Sequence, residues 1–74
     1  MVKIKVNLTL IKFVNKQDFT VDIEESAELA DILNKTGIPV SEIGIVIKNG
    51  RWATVDCKVV DNDTIELFPS LSGG

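Results

Sequence analysis

The sequence predicts an α+β fold, with one mixed sheet of four to five strands packed on one helix. Three observations carry that expectation. The N-terminal stretch alternates apolar and polar residues, Val2, Ile4, Val6, Leu8 and Leu10 being separated by Lys3, Lys5, Asn7 and Thr9. That period of two gives a strand with one buried and one wet face. A single segment near the middle carries apolar residues at helical spacing and ends in a full stop signal. The remainder is cut into short β-rich runs by Asn49-Gly50 and Asp61-Asn62-Asp63, both strong turn formers.

The elements follow in order. After Leu10 the alternation changes phase, since Ile11 and Phe13 are apolar. A bulge, or a strand end covered on both faces, accounts for the shift. The polar Asn15-Lys16-Gln17-Asp18 reads as a turn, and Phe19, Val21 and Ile23 alternate with Thr20, Asp22 and Glu24 as a second strand. The two form an antiparallel hairpin. A helix is expected from Ser26 to Thr36. Ser26 is the candidate N-cap, with Glu24, Glu25 and Glu28 near the positive end of the dipole. Leu29, Ile32, Leu33 and Thr36 share one face, Lys35 lies in the last turn, and Gly37 and Pro39 end the helix. Ile43 to Lys48 is the next strand, stopping at Asn49-Gly50, and Arg51 to Val55 is a short return strand. Thr64 to Phe68 is the last, with Ile65 and Leu67 pointing one way and Pro69 ending the ladder. One helix must cover one face of this sheet to bury its stripe. Strand, strand, helix, strand, short strand, strand is the ubiquitin-like β-grasp arrangement. It sets the first and last strands side by side and parallel in the centre. The domain then spans residues 1–69, and 70–74 is a flexible C-terminal tail.

Composition narrows what such a domain does. The chain has 74 residues, 45% hydrophobic and 26% charged. That is a globular composition with room for one core, burying about 60% of the unfolded surface. There is no His and one Cys. Triads and dyads that use His, His-ligated metals and internal disulfides are excluded. The net charge of −3 argues against nucleic acid as a partner. No apolar run approaches a membrane span. Met1-Val2-Lys3-Ile4-Lys5 has no apolar core of a signal peptide, so the expected location is cytoplasmic and no membrane partner is expected. Cys57 lacks a base and reads as a space filler. Asp56, Asp61, Asp63 and Glu66 lack the spacing of a calcium loop and read as a solvated face, so no metal site is expected. Trp52 is read as packing on the sheet, with exposure as a binding anchor the alternative. Nothing in the body of the domain combines an acid, a base and a pocket, so the chain is not expected to be an enzyme or to bind a cofactor.

The C-terminus is the chemically distinctive part. It runs Ser70-Leu71-Ser72-Gly73-Gly74, and five extended residues reach about 17 Å beyond Pro69. The glycines lack Cβ, so the end can thread a narrow channel. Ser70 and Ser72 keep the thread thin, and Leu71 offers one apolar contact. The Gly74 carboxylate is inert until activated; adenylation with ATP turns it into a mixed anhydride open to a sulfur or amine nucleophile.

Asn49-Gly50, Asp61-Asn62-Asp63 and the run Ile65-Glu66-Leu67-Phe68-Pro69-Ser70-Leu71-Ser72-Gly73-Gly74 together resemble the MoaD/ThiS sulfur-carrier family. The resemblance spans Ile4 to Gly74 and is most specific in the last third. Asn62 stands where that family usually has Gly, a mild departure because Asn also tolerates the left-handed region. The Phe-Pro and Ser-Gly-Gly tail is closer to the MoaD branch. The resemblance implies that an E1-like enzyme adenylates Gly74 and that a sulfur-donor enzyme supplies the sulfur of a Gly74 thiocarboxylate. It implies a further partner, a large synthase subunit for molybdopterin-type cofactors or a thiazole synthase for thiamine. ATP is used by the activating partner. The expected partner face lies beside the last strand, at Phe68 and Pro69 with Trp52 and Arg51. Phe68 either faces outward or packs on Ile11 or Phe13. Two other readings stay open: a ubiquitin-like modifier joined to lysines through Gly74, and an interaction module with an incidental Gly-Gly end.

Overall fold

The structure is a computed structural model in which residues 1–70 are described. Seven strands and one α-helix follow in the order β1 (Val2–Val6), β2 (Asp18–Val21), β3 (Ser26–Glu28), α1 (Leu29–Thr36), β4 (Ile43–Lys48), β5 (Arg51–Ala53), β6 (Lys58–Val60) and β7 (Thr64–Pro69). Five strands make one sheet in the order β2-β1-β7-β4-β5, and β3 pairs with β6 in a separate ribbon. β1 runs parallel to β7, with Ile4 opposite Ile65 and Val6 opposite Leu67. The other pairs are antiparallel. This is the mixed ubiquitin-like β-grasp sheet, with the predicted central parallel pair in place.

Helix α1 lies against one face of the sheet. Leu29, Ile32 and Leu33 meet Val2, Ile4, Val6, Val46, Ile65 and Leu67 in one core, joined by Leu10, Ile38 and Val59. Every buried side chain among the described residues is apolar, so the core carries no desolvation penalty for a charge. The helix ends as its sequence dictates. Gly37 takes φ 90°, a left-handed angle that costs a residue with a Cβ. Both Gly37 and Ile38 donate their N–H to the Leu33 carbonyl at 3.0 Å, which closes the last turn and delivers Ile38 into the core.

Several boundaries differ from expectation: the return strand stops at Ala53 rather than Val55, and the last strand runs through Pro69, which pairs with Ile43. β1 stops at Val6, and the phase change comes from a 3₁₀ turn over Leu8–Phe13 rather than a bulge. The turn keeps Leu10 buried, leaves Thr9 exposed and lets Ile11 and Phe13 pack on the core as well. The second strand ends at Val21, short of Ile23. The helix begins at Leu29, not Ser26. Ser26 is no N-cap but the first residue of β3, paired with Val60. Backbone carbonyls replace the expected cap: Leu29 N–H donates to Cys57 O at 3.0 Å and Ala30 N–H to Val55 O at 2.9 Å. With those donors satisfied, the helix gains little from a side-chain cap. The partner that draws Ser26–Glu28 into a strand is Lys58–Val60, a three-residue strand missed in the sequence although it holds fully buried Val59.

Candidate functional site

The predicted site is the C-terminal tail. Leu71, Ser72, Gly73 and Gly74 lie outside the described residues, so the structure bears on the point from which they depart. That point is the end of β7, a strand flanked on both sides, by β1 and β4. The β4–β7 ladder changes register between Ile43 and Ile45, with Pro69 opposite Ile43 and Phe68 opposite Ile45. Gly44 is the residue left over, as in a bulge. A Cβ there would sit 2.6 Å from the Pro69 carbonyl oxygen and 2.7 Å from Ser70 Cα. The root of the tail thus lies directly on the Gly44 backbone, in space that no other residue type leaves open. One step on, Ser70 N–H donates to Glu42 O at 3.0 Å. Ser70 is exposed yet held by its backbone.

The sheet face away from the helix forms the surface around this root. Residues directly opposite in a ladder share a face, so Ile45 and Phe68 stand together, as do Ile47, Glu66 and Trp52. None of these four apolar side chains belongs to the set packed on the core. Phe68 therefore faces outward against Ile45 and does not join Ile11 or Phe13, which pack on the core instead. Trp52 is 77% exposed; it does not pack down on the sheet. Leu8 is 68% exposed and takes φ 54°, a left-handed angle unusual for a leucine. Its neighbour Asn7 is tied to the end of β7, donating its N–H at 3.2 Å and its side-chain Nδ2 at 2.9 Å to the Leu67 carbonyl. Those bonds carry Leu8 to the tail-proximal end of the sheet. The outer face is thus divided. Apolar Ile45, Ile47, Trp52 and Phe68 occupy the β4, β5 and β7 side; Lys3, Lys5, Asp18 and Thr20 occupy the β1 and β2 side.

Of the predicted partner residues, Phe68 and Trp52 share this face. Arg51 is exposed, but it stands opposite Lys48, itself opposite buried Ile65, and so belongs to the other face. Pro69 is half-buried and pairs with Ile43, which packs on the core. Ile45, Ile47 and Leu8 were not singled out in the sequence. For Ile45 and Ile47 the signal was present: Ile45-Val46-Ile47 is apolar at both parities, which marks a strand wanting cover on both faces.

The two turn motifs turn out to be one device. Asn49, at φ 53° and followed by Gly50 at φ 83°, makes the left-handed pair of a type I′ hairpin. Its Nδ2 donates to Asp63 Oδ1 at 2.8 Å, and its Oδ1 accepts the Thr64 N–H at 2.8 Å. Asp63 Oδ2 accepts the Val60 N–H at 2.9 Å. The Val60 N–H, and after it the Asn49 amide, hold the Asp63 carboxyl below its ordinary value of 3.8. Asn62 sits at φ 74° and donates its N–H to Met1 O at 2.8 Å. Asp61 pairs with the Met1 amino group. The cluster pins the far end of the sheet, opposite the tail root. Cys57 packs on the core, and burial pushes its thiol up, with Lys48 only partly opposing. A thiol so placed is a filler rather than a nucleophile. Among the described residues no group of acidic or Cys side chains is arranged to hold a metal ion, and no helix is long and apolar enough to cross a membrane.

The model of the family described as Mut7-C ubiquitin matches residues 1–73. Among solved structures, SAMP1 from Haloferax volcanii is 22% identical, covering 99% of this chain and 98% of that one, with a TM-score of 0.74. A putative molybdopterin converting factor, subunit 1, from Pyrococcus furiosus is 18% identical, covering 95% and 97%, with a TM-score of 0.73. The HVO 2177 protein of Haloferax volcanii is 20% identical, covering 99% and 85%, with a TM-score of 0.75. These likenesses establish the fold. No curated protein gives a match.

Proposed function

We propose that this chain, which belongs to the Mut7-C ubiquitin family, is a non-catalytic cytoplasmic carrier that presents its C-terminal carboxylate to activating and acceptor enzymes. The favoured cargo is sulfur. The Gly74 carboxylate attacks the α-phosphorus of ATP in an E1-like partner, and pyrophosphate leaves. Hydrosulfide from a sulfur-donor enzyme then attacks the acyl carbon, AMP leaves, and a thiocarboxylate remains. The thiocarboxylate donates its sulfur to a molybdopterin-type precursor in a large synthase subunit, or to the thiazole of thiamine.

The observation that carries this reading is the tail root. A central strand runs straight into Pro69 and Ser70, seated on Gly44, beside an outward apolar face of half-buried Ile45, Ile47 and Phe68 and exposed Trp52, none of them packed on the core. Rigid fold, fixed point of departure and apolar grip are what a carrier needs when its partners supply the catalysis. Likeness to a molybdopterin converting factor subunit supports the sulfur reading. Likeness to a small archaeal modifier protein supports a second one, in which a lysine amine attacks the same adenylate and an isopeptide forms.

The test is the mass of the untagged protein and of its C-terminal peptide after incubation with an E1-like enzyme, ATP and a sulfur source. The peptide is needed because exchange of oxygen for sulfur nearly matches the mass of oxidation at Met1, Trp52 or Cys57. Exchange mapped to Gly74 is the expected result. Adenylation without sulfuration, with heavier lysine conjugates in lysate, would favour the modifier. An untouched Gly74 would refute both and leave an interaction module. Gly73→Val should block activation without moving the melting temperature, and fluorescence of exposed Trp52 reports partner docking independently.

A further inference from the structure

One exposed motif takes no part in the tail root or the outer face. Asn49 precedes Gly50, whereas Asn7, Asn15, Asn34 and Asn62 precede Leu, Lys, Lys and Asp. An asparagine before glycine is chemically reactive, because no Cβ hinders the backbone nitrogen that follows it. That nitrogen can attack the side-chain Cγ and close a succinimide ring. Asn49 and Gly50 are both exposed, and a Cβ built on Gly50 would meet nothing within 4 Å. Sequence and exposure therefore favour the reaction, and the fold opposes it. Ring closure needs the Asn49 side chain to swing until Cγ lies about 3–3.5 Å from the Gly50 nitrogen and in line with it. The Asn49 side chain is held at both of its polar atoms. Its Nδ2 donates to Asp63 Oδ1 at 2.8 Å, and its Oδ1 accepts the Thr64 N–H at 2.8 Å. Its backbone N–H donates to Thr64 O at 2.8 Å. Asp63 is fixed in turn by the Val60 N–H at 2.9 Å. Any such swing breaks both side-chain bonds.

We propose that Asn49 is a deamidation site that the Asp63 clasp closes in the folded chain, and whose product keeps the clasp from re-forming. When the clasp opens, the Gly50 nitrogen gives its proton to water and attacks Cγ. The Cγ–Nδ2 bond breaks, and ammonia leaves with a proton from solvent. Water then opens the succinimide at either carbonyl, leaving an aspartyl or an isoaspartyl residue. No oxidant or cofactor is consumed. The aspartyl product sets a carboxylate where an amide donor met Asp63. Two carboxylates at that distance do not both stay ionised, and no donor remains for Asp63 Oδ1. The isoaspartyl product lengthens the backbone by one bond, which the paired left-handed angles of 53° and 83° do not accommodate. Either product loses the bond from the β4–β5 turn to Asp63, which lies between β6 and β7. The hairpin that carries Trp52 is then untied from the strand that carries the tail. Refolding does not reverse this chemistry, so the chain keeps a record of each opening that led to reaction. The isoaspartyl form is a substrate for the class of enzyme that methylates isoaspartyl carboxylates.

The test follows Asn49 in the intact protein by peptide mass and by enzymatic methylation of isoaspartyl residues, in neutral buffer and in urea. Reaction is expected at Asn49 before any other asparagine, and at least about tenfold more slowly in the folded than in the unfolded chain. The ratio of the two rates should match the open fraction read from hydrogen exchange of the Thr64 amide, a comparison that needs no variant. Asp63→Ala should bring the folded rate toward the unfolded one. Asn49→Asp should melt below the parent. Adding Asp63→Asn to it should restore most of the loss, because donor and acceptor are exchanged and every bond of the clasp can form again. A purely steric role for the turn would show no such rescue. Equal rates in buffer and urea, a rate ratio unrelated to Thr64 exchange, or no rescue by the exchanged pair would each overturn the proposal.

Discussion

Replacing Gly44 by Ala tests whether the tail root is positioned by the fold. The Cβ would arrive 2.6 Å from the Pro69 oxygen, 2.7 Å from Ser70 Cα and 3.0 Å from Pro69 C. Ordinary contact begins near 3.4 Å, so the overlap is most of an ångström. All three atoms are backbone, so no flexible side chain can yield. Either β4 and β7 separate locally, or Pro69 and Ser70 lift off and the Ser70 N–H bond to Glu42 O is lost. Overpacking of this kind costs about 1–3 kcal/mol. For a domain of this size, each 1 kcal/mol lowers the melting temperature by roughly 4–8 °C. A drop of about 5–20 °C is therefore expected by calorimetry. Hydrogen exchange at the Ser70 amide should quicken alongside it. In an adenylation assay the KM for this protein should rise, since the tail would leave in a different direction. An unchanged melting point together with unchanged Ser70 protection would refute the account of Gly44 as a seat.

Three further outcomes follow from the structure. Leu33→Ala should cost about 2–5 kcal/mol in chemical denaturation, because Leu33 is fully buried; an unchanged midpoint would mean the helix stripe is not core. Asn49→Ala should destabilise by about 1–3 kcal/mol through its two side-chain bonds, and by about a further 1 kcal/mol for the left-handed backbone. Asn49→Gly should lose the first part only, and equal unfolding free energies for the two variants would contradict the assigned φ. Asp63 is held below 3.8 in the folded state, so its contribution to stability is complete above the unfolded value. It is lost as the pH falls through the lowered folded one. Asp63→Asn should be less stable than the parent at neutral pH and show a shallower decline below about pH 4; parallel stability curves would refute that.

Much of this was legible in the chain. Period two placed β1, Ile43–Lys48 was bounded by a polar start and by Asn49-Gly50, and Gly37 ended the helix where it was expected. These signals are local, and local propensity agreed with packing. The misreadings were non-local. Ser26 looks like a cap until Lys58–Val60 is known to lie beside it, and the helix start needs the Val55 and Cys57 carbonyls. Trp52 was given to the sheet because burial is the common fate of a tryptophan, and only the ladder shows that its neighbours face outward. The seat at Gly44 was invisible because an isolated Gly in a strand says that something approaches closely, not what.

The pairing of β1 with β7 has a kinetic consequence. Lys3 is opposed to Thr64, almost the full length of the described chain away. Loop closure over that span must precede any gain from the contact, and parallel pairs of this kind form late. The hairpins β1–β2 and β4–β5 can form early, but neither has a complete sheet to join until β7 inserts between them. β7 is therefore the keystone of folding as well as the strand that carries the tail. A chain whose tail root stands in place on Gly44 is one that has already finished folding, so an activating enzyme that grips the tail root and the outer face together would select the finished protein over its intermediates.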